Sequence, residues 1–186
     1  MTGLEETSFP GVGKLEAFFT DGLRTLLHTI KAREMWEKTL RYPGHVEKIK
    51  ALKALGFFDS EPVNIDGLSV APREVSVKLF ESRLTMPKVH DIVAMRIEVA
   101  GTKRGKRTAK VFHMFDKYDA KRGITAMART TAFTTSIVSQ LAAQKIVKET
   151  GVVPPEKLGM SPHFFSKLMN AIQKRHITVT ETSTDS

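Results

Sequence analysis

Polar and apolar residues alternate between Glu34 and Tyr42, with Trp36, Leu40 and Tyr42 on one side and Glu37, Thr39 and Arg41 on the other. Successive side chains of a strand point to opposite faces, so the pattern predicts a strand with one apolar and one polar face, ended by Pro43-Gly44. The period then changes. Val46, Ile49, Leu52 and Leu55 predict a helix over His45 to Leu55, with Gly56 at its C-cap. Ahead of the alternating strand, the breakers in Phe9-Pro10-Gly11-Val12-Gly13 predict an opening loop over 1–13. Leu15 to Thr20 reads as a short strand, and Asp21 as the cap of a short helix from Leu23 to Ile30.

Further along, Val63 to Val70 is extended and interrupted by an Asp66-Gly67 turn, and Pro72 to Leu84 starts like a helix, on proline. Asp91–Gly101 and Thr108–Tyr118 form the strongest hairpin pattern, around Gly101 to Gly105. Thr125 to Thr150 is Ala-rich without glycine or proline, which predicts the longest helix, stopped by Gly151 and Pro154-Pro155. Ser161 caps a last helix striped with Phe164, Phe165, Leu168, Met169 and Ile172. Ile177 to Thr180 reads as a final strand, before a tail, 183–186, expected to fray. Together these predict an α+β fold: a mixed, largely antiparallel sheet covered by helices, in one domain over 14–182.

Composition narrows the function classes. The chain is 41% hydrophobic and 26% charged, as soluble globular proteins are, and no run approaches the ~20 apolar residues of a membrane helix. Its acidic start, MTGLEETSFPG, lacks the apolar segment of a secretory leader. Cysteine is absent, which excludes disulfides and thiolate chemistry and fits a cytoplasmic location. The net charge of +9 attracts polyanions. The basic hairpin tip, Lys103, Arg104, Lys106, Arg107 and Lys110, has no interleaved aromatics to stack on bases, which disfavours nucleic acid. Gly11-Val12-Gly13-Lys14 fails as a phosphate loop, because Ser8 stands where the first glycine belongs and Leu15 where a hydroxyl belongs. There is no GxGxxG fingerprint, and the six histidines lack metal-ligand spacing.

Two stretches carry candidate chemistry. The polar face of the alternating strand is either the solvated side of a half-covered sheet or one wall of a site. Arg41 on that face has the planar fork that matches a carboxylate, and His45 just beyond it belongs to the residue type that changes charge near neutral pH. Thr125-Ala126-Met127-Ala128-Arg129-Thr130-Thr131 at a helix start either binds an anion or is ordinary capping by Thr125, with Arg129 reaching to the surface.

Leu15-Glu16-Ala17-Phe18 with Thr20, Lys38-Thr39-Leu40-Arg41-Tyr42 with Gly44-His45, Thr125 to Ala132, and Gly151-Val152 with Pro154-Pro155-Glu156 occur in that order. The chain resembles the carboxyl-terminal domain of the saccharopine dehydrogenase family, most closely its lysine 6-dehydrogenase branch, from about Gly11 to about Thr182. The resemblance implies the substrate-binding and dimerisation half of an NAD(P)-dependent enzyme that acts on the C–N bond of a lysine- or saccharopine-class amino acid. The Rossmann half that binds NAD or NADP is missing from this sequence, so the chain reads as a fragment, a partner of a separate Rossmann subunit, or a degenerate product. Oxidation next to nitrogen requires a neutral amine, and lysine's free amine has a pKa of about 10.4. The resemblance therefore makes His45 the candidate base, Arg41 or Arg129 the carboxylate clamp, and Thr20, Thr39 and Thr130 short polar contacts. Strand alternation selects Thr39 and Arg41 within their block. The alternative is a stand-alone, non-catalytic module for an amino acid or a polyanion.

Overall fold

The computed structural model describes residues 1–86 and 88–185, the last two of these without side chains. The chain forms two compact units, one of Met1–Arg24 with Ala32–Lys88 and one of Thr25–Lys31 with Val89–Ser186. The first helix, α1 (Leu26–Thr29), thus belongs to the second unit. The α+β class holds, although the described strands make three separate antiparallel sheets where one mixed sheet was predicted. No described helix is long and apolar enough to cross a membrane.

In the first unit, β1 (Glu5–Phe9), β2 (Gly13–Phe19) and β3 (Lys38–Arg41) pair in that order. β1 occupies the stretch predicted as an opening loop. Its Glu-Glu-Thr-Ser-Phe sequence carries little hydrophobic signal, and it is a strand because its backbone pairs with β2 across a turn where Gly11 and Gly13 take φ of 81° and 96°. β3 is shorter than the 34–42 of its side-chain pattern, because the ladder with β2 runs only from Phe19↔Lys38 to Glu16↔Arg41.

After β3 comes α2 (His45–Ala54), whose first turn is held by a side chain from the sheet. The Glu16 carboxylate accepts from Gly44 N at 2.7 Å and from Val46 N at 3.0 Å. Val46 is buried, as are Phe9, Leu15 and Ala17 on one face of the sheet and Phe18 on the other. β4 (Val63–Ile65) and β5 (Leu68–Val70) form a hairpin on the predicted Asp66-Gly67 turn, both residues having positive φ. α3 spans Pro72–Leu84, as predicted, and its buried Ser76 hydroxyl donates to Phe57 O at 2.7 Å.

In the second unit, β6 (Ile92–Lys103) and β7 (Lys106–Lys117) are joined by the two-residue turn Arg104-Gly105. The predicted five-residue loop is therefore mostly strand. β8 (Val179–Asp185) pairs with β7 from Met114↔Val179 to Thr108↔Asp185, so the tail expected to fray is instead laddered; Ser186 lies outside the described residues.

The predicted 125–150 helix is a π-helical segment, Ala128–Ala132, continued by α4 (Phe133–Ala143). It stops well before Gly151. Lys145 takes a φ of 58°, Ile146 N donates back to Leu141 O at 3.0 Å, and Ile146 and Val147 pack on the core of Ile137, Leu141, Leu158 and Phe164. A left-handed cap with an apolar contact ended the helix where no glycine announced it. α5 (Pro155–Gly159) and α6 (Pro162–Gln173) follow, and Ser161 Oγ accepts from Phe164 N at 3.4 Å as the predicted cap.

The helix predicted over 23–30 is only the four residues of α1, and Asp21 pairs with Arg24 at 3.1 Å instead of capping it. α1 is tied to α5 by Glu156, which accepts from the Thr29 and Thr25 hydroxyls, the latter at 3.1 Å. Those hydroxyls, Thr29 first, hold the Glu156 carboxyl below the usual carboxylate range.

Candidate functional site

Register in the first sheet sorts the side chains of its two faces. Thr39 lies opposite Phe18 and Arg41 opposite Glu16, so Glu16, Phe18, Thr39 and Arg41 share one face. Just past the ends of β2 and β3, Thr20 and Glu37 meet on this side: Thr20 Oγ1 donates to Glu37 Oε2, and the Thr20 and Thr39 hydroxyls are 3.0 Å apart. Gly22 N donates to the same Glu37 oxygen at 3.2 Å, and Thr39 Oγ1 reaches the other at 3.4 Å. The backbone of Gly22 comes so close that a Cβ there would stand 2.7 Å from Glu37 Cδ.

The structure thus brings Thr20 and Thr39 together around a carboxylate that alternation had placed on the polar face without giving it a role. A carboxylate has about four lone-pair sites. Two hydroxyls and one amide take three of them, leaving Glu37 able to accept from a further cation or donor.

His45 opens α2, and its ring stacks on Phe18 with centroids 6.3 Å apart. Phe18 therefore neighbours both Thr39, across the ladder, and His45. The turn that delivers His45 is fixed by the Glu16 carboxylate, which the Val46 and Gly44 amides, in that order, hold below the usual carboxylate range. Arg41 is exposed, and its guanidinium donates to its neighbour's carbonyl, Leu40 O, at 2.8 Å.

The opposite face is less apolar than the alternation suggested. Lys38 extends there beneath Trp36 and Phe19, its Nζ 5.7 Å and 4.7 Å from their ring centroids and 2.9 Å from Glu5, with its side chain only 11% exposed. Hydrophobic periodicity does not foretell a lysine whose charge is met by an acid and two rings.

Arg129 and Thr130 belong to the second unit. The Arg129 guanidinium is buried: Nε lies 3.2 Å from Asp116 Oδ2, Nη1 3.4 Å from Asp119 Oδ2, and Nη2 donates to His176 O at 3.0 Å and Arg175 O at 3.4 Å. Nε and Asp116 Oδ2 are out of water and not aligned as a hydrogen bond, so their attraction is mainly coulombic. Thr130 Oγ1 donates to Ala126 O at 2.9 Å, one of several hydroxyls serving carbonyls along this helix.

Thr125 Oγ1 accepts from Ala128 N at 3.1 Å, and the Asp91 carboxylate takes the amides of Ala126 and Met127 at 2.7 and 2.8 Å. The helix N-terminus is thereby occupied by the chain's own acid.

The basic hairpin tip lies at the β6–β7 turn, where Lys110 pairs with Glu181. Blocks of sequence spread over both units had pointed to one family, and the comparison with family models agrees over almost the whole chain: the model of the saccharopine dehydrogenase C-terminal domain matches residues 2–177, and the chain belongs to that family.

Proposed function

We propose that this chain is the substrate-side half of an NAD(P)-dependent amino-acid dehydrogenase acting on a C–N bond, of the lysine 6-dehydrogenase or saccharopine dehydrogenase type. Family membership supports the reaction class. The single observation that carries the site is the Thr20–Glu37–Thr39 cluster on the sheet face that bears Arg41 and packs Phe18 against His45. An amino-acid substrate brings an ammonium and a carboxylate. Glu37, with one acceptor position open, suits the first; Arg41, exposed and, among the described residues, paired only with a neighbouring carbonyl, suits the second. His45 takes the amine proton, since the nitrogen must carry a free lone pair before its carbon can be oxidised.

The residues present do not fit a dinucleotide. Gly11 and Gly13 turn one strand back on another and open no helix, while the amides at the start of α2 already hold Glu16. NAD or NADP is therefore held by a nucleotide-binding domain outside residues 1–186, in the same polypeptide or a partner subunit. A homodimer is proposed through β6, whose one described neighbour is β7 and whose Ile97 and Val99 are 44% and 59% exposed.

The test places His45→Ala and Arg41→Ala in the complete two-domain enzyme. The first is expected to lower kcat/KM by about 10²–10⁴-fold with lysine or saccharopine, the second to act mainly through KM. Unchanged kcat/KM in both variants overturns the assignment.

A further inference from the structure

We propose that the second unit carries a binding site for a compact dianion, a phosphate monoester or a small dicarboxylate, in the hollow between the 119–124 turn, the start of the π-helical segment and the end of α6. The hollow is about 220 Å³ and is lined by Asp119, Arg122, Arg129, Lys174, Arg175 and His176, with Ile124 and Phe133 as its apolar wall. At ~30 Å³ per water it has room for roughly seven, enough for a phosphate or a short diacid.

Charge is what makes the hollow unusual. Four permanent cations line it, and Asp119, the one carboxylate among the described lining residues, is already committed. Asp119 accepts from Arg122 Nη1 at 2.8 Å and Arg122 N at 3.0 Å, and lies 3.4 Å from Arg129 Nη1. The Arg122 contact is the first cause holding its carboxyl below the usual range. Asp116, behind Arg129, neutralises one more charge. Two positive charges are left without a carboxylate, Lys174 making no ion pair among the described residues.

Cations at a helix C-terminus complement its dipole, and Arg175 Nη1 does donate to Ala171 O at 3.1 Å. That accounts for two of the four. Arg122 and Arg129, from other segments, come with their own acids, Asp119 and Asp116, so the excess of two positive charges in the hollow is that of Lys174 and Arg175. His176 takes a φ of 61° as the left-handed cap of α6, with Ile177 N donating back to Ile172 O at 3.3 Å, and this puts an imidazole on the rim. A bound dianion offsets the two surplus charges, those of Lys174 and Arg175. The inference does not rest on the dehydrogenase assignment, and either can fail without the other.

Calorimetry of the full chain against inorganic phosphate and against glutarate, at 150 mM chloride, tests it. At least one is expected to bind saturably with a Kd of about 1 mM or tighter, and the tighter of the two names the ligand class. Lys174→Glu is expected to weaken that binding at least about tenfold, whereas Lys167→Glu, the same charge reversal earlier on α6, changes it less than about twofold. Absence of saturable binding by both anions, or equal weakening in the two variants, overturns the site.

Discussion

Replacing Arg129 with methionine removes one guanidinium and keeps most of the side chain's volume. The loss can be worked out partner by partner. Asp119 keeps Arg122, and two carbonyls lose a donor. Asp116 fares worst: its Oδ2 is out of water and, among the described residues, has only the Arg129 charge beside it. Removing one member of a buried ion pair leaves the other uncompensated, at about 3–5 kcal/mol. With a urea slope of about 2 kcal/mol per molar, the midpoint falls by roughly 2 M.

Far-UV circular dichroism is the right probe, because the single tryptophan, Trp36, belongs to the first unit and does not report directly on this one. Adding Asp116→Asn to Arg129→Met removes the orphaned charge and is expected to restore about 1–2 kcal/mol, so the two substitutions are not additive. A loss under about 1 kcal/mol, or a double variant less stable than the single, refutes the view that Arg129 is held for the fold.

Glu16→Gln tests the anchor of α2. The folded carboxyl lies below its ordinary value, so its stabilising effect is complete above the unfolded pKa of about 4.3 and fades as pH falls through the folded one. Urea midpoints from pH 7 to pH 3 should therefore fall less steeply in the variant, which is the less stable protein near neutrality; parallel profiles would exclude the anchor. Lys145→Gly relieves a left-handed residue and should raise the urea midpoint by the equivalent of about 0.5–1 kcal/mol, a fall in midpoint counting against the cap. Gly22→Ala forces the Glu37 carboxylate from its cluster while disturbing little else: stability should change by under about 1 kcal/mol, yet lysine affinity, read by calorimetry, should drop severalfold.

Where local chemistry decides conformation, the sequence was legible. α3 begins on its proline and ends where its period does, Asp66-Gly67 turns the small hairpin, and Ser161 caps α6. What escaped was set by distant partners. β1 is polar and exists through β2, and β8 continues along β7 into a tail that composition would fray. α4 stops because Ile146 finds the core around Leu141, a contact invisible to a scan for glycine and proline.

The candidate site divides the same way. Alternation put Thr39 and Arg41 on one face, as the register has it. Glu37's central place needed Thr20 and Gly22 to arrive from another strand end, which the alternation over 34–42 does not encode. Arg129 could be assigned a surface or an anion; its two aspartates lie ten and thirteen residues upstream, at no helical spacing, and only the fold brings them to it.

The widened turn at 128–132 has a consequence for the whole helix. Each hydrogen-bonded ring there encloses one residue more than an α-helix allows, so the residues before it are rotated about 100° relative to those after it. The hydroxyls of Thr130, Thr134 and Thr135 supply donors to carbonyls in and around this segment. Removing one residue from within the segment would turn it into ordinary α-helix, the lost residue taking the ~100° offset with it, so that the residues on either side keep the faces they now present. At this turn a one-codon deletion would be absorbed, whereas the same deletion within α4 would swing one end of the helix by ~100° against the other.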